Sequence, residues 1–280
     1  MKQSERRRLV RPQYDGARAA YSMLLGLSVF LLVGALSYWQ LTSEPVAHQL
    51  ISEGVAALTD IDQVLAEREI PIQASADAAA PGELLTIPGY PLDVRFTAEE
   101  FEQSSDQEFR DLVLARSADI VYNEGLDAFD QTGAASVGLF SREGLLDSLL
   151  GRLSASAHRF AGYASMAVGL LAVLAAVMVV VRSSGFQRVR ALGFPIFIGA
   201  AAGALLSLAL AFLLGRVWSG DPFSDEIDRI VADAIGIGTA NYVIATVLGI
   251  GIIVLGVLVE VVARFAFREA PDPAFADDLS

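Results

Sequence analysis

Four long apolar runs divide this chain, at 19–41, 161–181, 191–214 and 239–263. Each is roughly 20 residues or more, enough to cross a bilayer as a helix at about 1.5 Å per residue. Between the first two runs lies a polar stretch, 42–160, of small-domain size. The other polar stretches, 182–190 and 215–238, are short. The pattern predicts an all-α membrane protein: four transmembrane helices with a mainly helical extracytoplasmic insert between helices 1 and 2. A signal peptide would have a shorter apolar core, about 7–15 residues, and a small-residue cleavage site after it. Here Ser37-Tyr38-Trp39-Gln40 stands at the end of the run, an interfacial aromatic anchor, so the first run reads as an uncleaved span.

Within the insert the periodicities change. Ala47, Leu50, Ile51, Leu58, Ile61 and Leu65 recur at helical spacing, with Glu53, Asp60, Asp62 and Glu67 on the opposite face. They predict one amphipathic helix over 46–66, with Pro45 in its first turn, ending near Glu69 before Pro71. A loop is expected over 72–83. Leu84-Leu85-Thr86-Ile87, the turn pair Pro88-Gly89 and the alternation Leu92, Val94, Phe96 suggest a small β-hairpin near 84–96. Thr97-Ala98-Glu99-Glu100 has the form of a capping box, so a helix should begin at Ala98. It is expected to break at Ser104-Ser105 and continue to about Phe129, with loose chain from Thr132-Gly133. Ser141 is a cap for the next helix, whose stripe of Leu145, Leu146, Leu149, Leu150, Leu153 and Ala157 runs into the second span. One helix from about Arg142 to Val181 is expected. In 215–238, Ser224 is a cap candidate, followed by Ile227, Ile230, Val231, Ala234 and Ile235 on one face. This helix is expected to pack as a lid under the insert.

Charge sets the orientation. Arg6, Arg7 and Arg8 lie in the basic N-terminus, 1–18. Arg182, Arg188 and Arg190 occupy 182–190 without an acid, whereas 215–238 is acidic. Basic residues of short loops stay on the cytoplasmic side. Both termini are therefore expected in the cytoplasm, with 42–160 and 215–238 outside, in a multi-pass protein of the cell (inner or plasma) membrane. Four spans keep every charge cluster on its expected side. The 264–280 tail reads as a disordered cytoplasmic end.

Composition removes several chemistries. The 280 residues are 54% hydrophobic with a net charge of -13, and Lys2 is the only lysine. The arginine- and alanine-rich usage fits a GC-rich bacterial genome. There is no cysteine, so disulfides, thiolate nucleophiles and iron–sulfur clusters are excluded. The acidic balance argues against nucleic acid, which needs a basic face. Gly236-Ile237-Gly238 lacks the third glycine and the preceding strand of a dinucleotide loop. The two histidines, His48 and His158, stand roughly 10 Å and 4 Å from the ends of their spans, not level with each other, so no metal pair is expected. Glu124, Asp127 and Asp130 before Gly133 lack the ligand density of an EF-hand loop. Glu260, about one turn from Arg264, reads as an interfacial ion pair. No catalytic, cofactor or metal site is predicted.

Three pairs of small residues have the four-residue spacing of close helix packing: Gly199 and Gly203, Ser165 and Gly169, Ala245 and Gly249. They mark either packing within one four-helix membrane bundle or a subunit interface. The expected function is non-enzymatic: an accessory or sensor-like subunit whose extracytoplasmic domain mediates protein interaction or ligand response. The expected partners are the lipid bilayer and either another protein or a second copy. The alternative is a homo-oligomeric channel or passive pore with an acidic outer vestibule, for which Asn241, Thr246 and Ser207 are the main polar residues within the spans. The four-span outline, with its large segment between the first two spans, is similar to that of claudin-like proteins. Their tryptophan and cysteine signature is absent, so the likeness is one of topology and implies no activity.

Overall fold

The computed structural model describes residues 2–59, 61–125, 152–183, 187–217 and 222–266. Eight helices and two short strands fall within them: α1 (Lys2–Leu41), α2 (Glu44–Thr59), α3 (Ile61–Ala78), β1 (Leu84–Thr86), β2 (Arg95–Thr97), α4 (Ala98–Gln103), α5 (Asp106–Glu124), α6 (Ala155–Arg182), α7 (Gln187–Val217) and α8 (Pro222–Ala266). Four helical segments are long and apolar enough to cross a membrane: Gly16–Leu41, Ala155–Arg182, Gln187–Leu214 and Arg229–Ala263. Many of their large apolar side chains, such as Leu170, Leu206 and Val262, are exposed to the surroundings. That is the reverse of a water-soluble helix and suits lipid as the solvent.

The chain divides into two compact units. The first comprises Met1–Gly34, Ser165–Leu208 and Gly238–Ser280, parts of the four long helices. Its close packing depends on glycine. A Cβ on Gly199 of α7 would overlap the backbone carbonyl of Gly26 on α1. Along α7 and α8, a Cβ on Gly193 would meet Ile253 N at 2.8 Å, one on Gly249 would meet Phe197 N at 2.7 Å, and one on Gly256 would meet Arg190 N at 2.8 Å. As the α7 number rises its α8 partner falls, so the two helices run antiparallel with backbones nearly touching. Leu25, Ala172, Ala175 and Val179 form a small buried cluster from α1 and α6.

The second unit comprises Ala35–Ala164 and Ala209–Ile237. Its core is a conventional water-excluding one. The α2 side chains Ala47, Leu50, Ile51 and Val55 pack against Phe109, Val113, Ala118 and Val121 of α5, and Ile230 of α8 joins the same cluster at 4% exposure. β1 and β2 pair antiparallel, with Leu84 opposite Thr97, Leu85 opposite Phe96 and Thr86 opposite Arg95. The chain between them turns at Gly89, whose φ of 78° favours glycine. Ile87, Tyr90, Leu92 and Val94 from this segment are buried in the core. Buried Tyr90 donates its hydroxyl proton to Ser117 Oγ at 3.0 Å, and Ser117 donates onward to the Val113 carbonyl at 2.7 Å.

Several local expectations are corrected. The helix expected over 46–66 is two helices, α2 and α3, and α3 continues through Pro71 to Ala78. Proline removes one helical N–H there, but Pro71 is exposed and Ile72 and Ala76 just beyond it are buried. Burial of that face outweighs the single lost bond, and the expected loop shrinks to 79–83. Helix α5 ends at Glu124 rather than near Phe129, because Gly125 adopts φ 76° and its N–H returns to the Val121 carbonyl. The helix expected from Arg142 does not extend unbroken into the second span. Residues 152–154 are non-helical, and Ser154 Oγ accepts the Ala157 N–H at 3.3 Å, starting α6 at Ala155. Residues 126–151, with Asp127, Asp130, Thr132, Gly133 and Ser141, lie outside the description. Helix α8 starts at Pro222, so Ser224 is inside it and is not its cap, and it continues through Gly236 and Gly238 without interruption. Helix α7 starts at Gln187, placing Arg188 and Arg190 in its first turn. The side chains of Arg6, Arg7, Arg8 and Arg264 are not described.

Candidate functional site

Two capping boxes in succession shape a cleft of the second unit. Thr97 accepts the Glu100 N–H at 3.2 Å, and the Glu100 carboxylate accepts the Thr97 N–H at 2.9 Å. Eight residues later Ser105 and Glu108 repeat the exchange at 3.3 and 2.8 Å. Each box fixes a helix start, so α4 and α5 leave Ser104–Ser105 in set directions. Phe101 of α4 then meets Phe109 of α5 edge-on, with centroids 5.0 Å apart, and Phe96 of β2 meets Phe109 at 5.1 Å. Arg116 clamps the arrangement from below. Its guanidinium donates to both oxygens of Glu100, at 2.6 and 3.0 Å, and to the Arg95 carbonyl. The Arg116 guanidinium, followed by the Thr97 N–H, holds the Glu100 carboxyl below the usual carboxylate range. The Ser105 N–H and hydroxyl do the same for Glu108.

Between α3, α4 and α5 this leaves a half-open groove of about 690 Å³. Leu65, Ile72, Phe101 and Phe109 form an apolar floor, and Asp62, Glu69, Glu102 and Asp106 stand on the rim. Among the described lining residues Arg110 is the one cation, and it donates to Asp62 at 2.7 Å. Glu69, Glu102 and Asp106 have no cationic partner among the described residues. Such a groove suits an occupant that presents an apolar face flanked by positive charge: the floor removes apolar surface from water, and the exposed carboxylates draw cations at longer range.

The two histidines have different direct contacts. His158 stacks on Trp39 at 5.3 Å, with Nδ1 3.1 Å from the Trp39 carbonyl and 3.3 Å from Thr42 Oγ1. It ties the start of α6 to the end of α1. His48 packs edge-on against Tyr122, and its Nε2 lies 4.0 Å from Asp119, beyond hydrogen-bond range. Tyr122 donates to the Thr42 carbonyl at 3.1 Å, and burial, then the Glu44 carboxylate, pushes its hydroxyl pKa up. Among the described residues, no group of three or more histidine, aspartate or glutamate side chains is placed to hold a metal ion.

The small-residue pairs of the first unit separate. Gly199 faces α1 and Gly203 faces α8, where the Tyr242 ring fills the space a Cβ would need. Tyr242 also donates to the Phe30 carbonyl of α1 at 2.8 Å, above Gly34, so one side chain joins three helices. A Cβ on Gly169 would meet the Leu32 side chain of α1 at 3.7 Å, Ser165 is buried, and Gly249 faces Phe197 while Ala245 is only partly buried. Ser207 donates to the carbonyls of Gly203 and Ala204, and Thr246 to that of Tyr242, all on their own helices. The four-residue spacing did not single out Gly26, Gly193, Tyr242 and Gly256. A different signal was present: Tyr242, Gly249 and Gly256 lie seven apart, the repeat of a helix seam. The groove had no comparable signal, because its floor comes from three helices. No family model matches this chain, and neither the curated proteins nor the solved structures contain a significant match.

Proposed function

We propose that this chain is a non-enzymatic, accessory or sensor-like membrane protein whose polar helical domain binds a protein segment in the α3–α4–α5 groove. The proposed occupant carries basic residues beside an apolar stretch. One observation carries the reading: Phe101, Phe109, Leu65 and Ile72 floor a groove of about 690 Å³ whose rim, among the described residues, holds four carboxylates against one arginine. Arginine bias supports the orientation that goes with it. Arg6, Arg7, Arg8, Arg182, Arg188 and Arg190 mark the cytoplasmic side of an inner or plasma membrane, and the groove domain, 42–160, lies outside.

The test is photocrosslinking from Gln107 on the groove rim in native membranes. The expected result is one discrete protein adduct, lost when Glu69 and Glu102 are both changed to lysine and absent from a probe at exposed Gln63. An adduct indifferent to the charge reversal, or a protein crosslinking equally from Gln63, would overturn the assignment. So would the lack of any adduct from Gln107.

A further inference from the structure

The first unit holds a second cleft, of different chemistry. Beside the Gly26–Gly199 crossing, an apolar groove of about 490 Å³ runs between α1 and α7, lined by Met23, Leu27 and Phe30 on one side and Phe194, Ile198 and Ala202 on the other. A smaller cavity of about 300 Å³ adjoins it, sharing Ser22, Phe194 and Pro195, and is lined by Arg18, Arg190 and Gln187. Among the described residues, no carboxylate lines either cavity. Among the described residues, neither Arg18 nor Arg190 has an ion pair.

The dimensions match one leaflet of a bilayer. Arg18 precedes Gly26 by eight residues and Arg190 precedes Gly199 by nine, so their backbone positions lie about 12 and 13.5 Å along the helix axes from the crossing. They stand at nearly the same depth. From Ala19 to Phe30 the apolar groove extends roughly 16 Å, about half of a ~30 Å hydrocarbon core. In a membrane the apolar part is bathed in acyl chains, and the two arginines sit at headgroup level, where a phosphate is the complementary charge. Arginine suits that role because its planar fork can donate two bonds to one phosphate.

We propose that this composite cleft binds one anionic phospholipid, its phosphate between Arg18 and Arg190 and one acyl chain along Met23–Phe30 and Phe194–Ala202. The site does not depend on the partner groove of the other unit, and it lies in whichever leaflet faces Arg18 and Arg190. The lipid covers the seam where glycine has brought α1 and α7 together and left little side-chain bulk beside the contact.

Native mass spectrometry of the full chain, released from nanodiscs containing equal phosphatidylglycerol and phosphatidylcholine of the same acyl chains, tests the proposal. One phosphatidylglycerol should remain bound through stepwise delipidation. The double variant Arg18→Gln, Arg190→Gln should lower its retention roughly tenfold or more, while Arg188→Gln, at an arginine of the same helical turn that does not line the cleft, should leave it within about twofold. Ala202→Trp, which fills the acyl groove from an exposed position, should lower retention with both arginines intact. Free glycerol phosphate should not displace the lipid. Equal retention of the two lipids, equal effects of the cleft and control arginines, or complete displacement by glycerol phosphate would overturn it. Unchanged circular dichroism of the variants separates loss of the site from loss of the fold.

Discussion

Glycine and tyrosine decide the packing of the long helices at single positions. A methyl group on Gly199 would run into the Gly26 carbonyl, which is main chain and cannot rotate away. At Gly203 it would meet the Tyr242 ring, and at Gly251 nothing lies within 4 Å. The expected order of destabilisation by alanine is therefore Gly199, then Gly203, with Gly251 neutral or slightly stabilising. The first two should cost about 1–3 kcal/mol, Gly199 at the upper end, as overpacking does elsewhere. At Gly251 the higher helix propensity of alanine is the remaining effect. Thermal unfolding in one detergent at fixed protein concentration ranks the three. A Gly199→Ala protein as stable as the Gly251→Ala one would show that α1 and α7 do not approach as described. Only some of this was legible in the residues. The Gly199–Gly203 spacing marked a close approach, but spacing does not say which helix approaches, and the two glycines face different partners.

At the scale of the element, local hydrogen bonds decide where helices begin. Thr97 with Glu100 was readable because both partners lie within four residues, so no tertiary contact is needed to form the box. Ser105 with Glu108 carries the same code. Glu100 also shows how a cap becomes part of a larger structure, because Arg116 adds two charge-assisted bonds to it. Its carboxyl is held low in the folded state. A group whose folded pKa is depressed stabilises the fold above its unfolded pKa and loses that contribution as pH falls through the folded value. The domain should therefore lose stability on acidification below the usual carboxylate range. Glu100→Gln should lower stability at neutral pH and flatten the acid limb, read as melting temperature against pH. An unchanged acid limb in that variant would remove Glu100 from the account. Pro71 is the opposite case, where a local rule failed. Proline argued for a helix end, yet burial of Ile72 and Ala76 holds α3 together beyond it. Pro71→Ala restores a helical N–H at an exposed site and should stabilise the domain by about 1–2 kcal/mol after the entropy regained by the unfolded chain is set against it. A denaturant midpoint that falls would indicate that the proline shapes α3 in a way the packing requires.

At the scale of the whole molecule, the proposed orientation rests on the arginines. The absence of cysteine makes the check simple, since one introduced thiol is the only one present. Gln107→Cys on the groove rim should react with a membrane-impermeant maleimide in intact cells, and Gln187→Cys at the start of α7 should react only after lysis. The reverse pattern would invert the topology and put the groove domain in the cytoplasm. The partner proposal and the lipid proposal respond differently to that result. The groove would then need a cytoplasmic partner, whereas the α1–α7 cleft would keep its lipid and change only the leaflet.

The number of apolar spans, and the cap that starts α4, are set by residues near one another in the chain, because hydrophobic length and backbone capping act over a few turns at most. Which glycine meets which helix, how far α3 runs past its proline, and how three separate helices leave an acid-rimmed groove are decided by side chains far apart in sequence. Those depend on the relative placement of complete helices, and each apolar stripe was compatible with several neighbours until packing chose one.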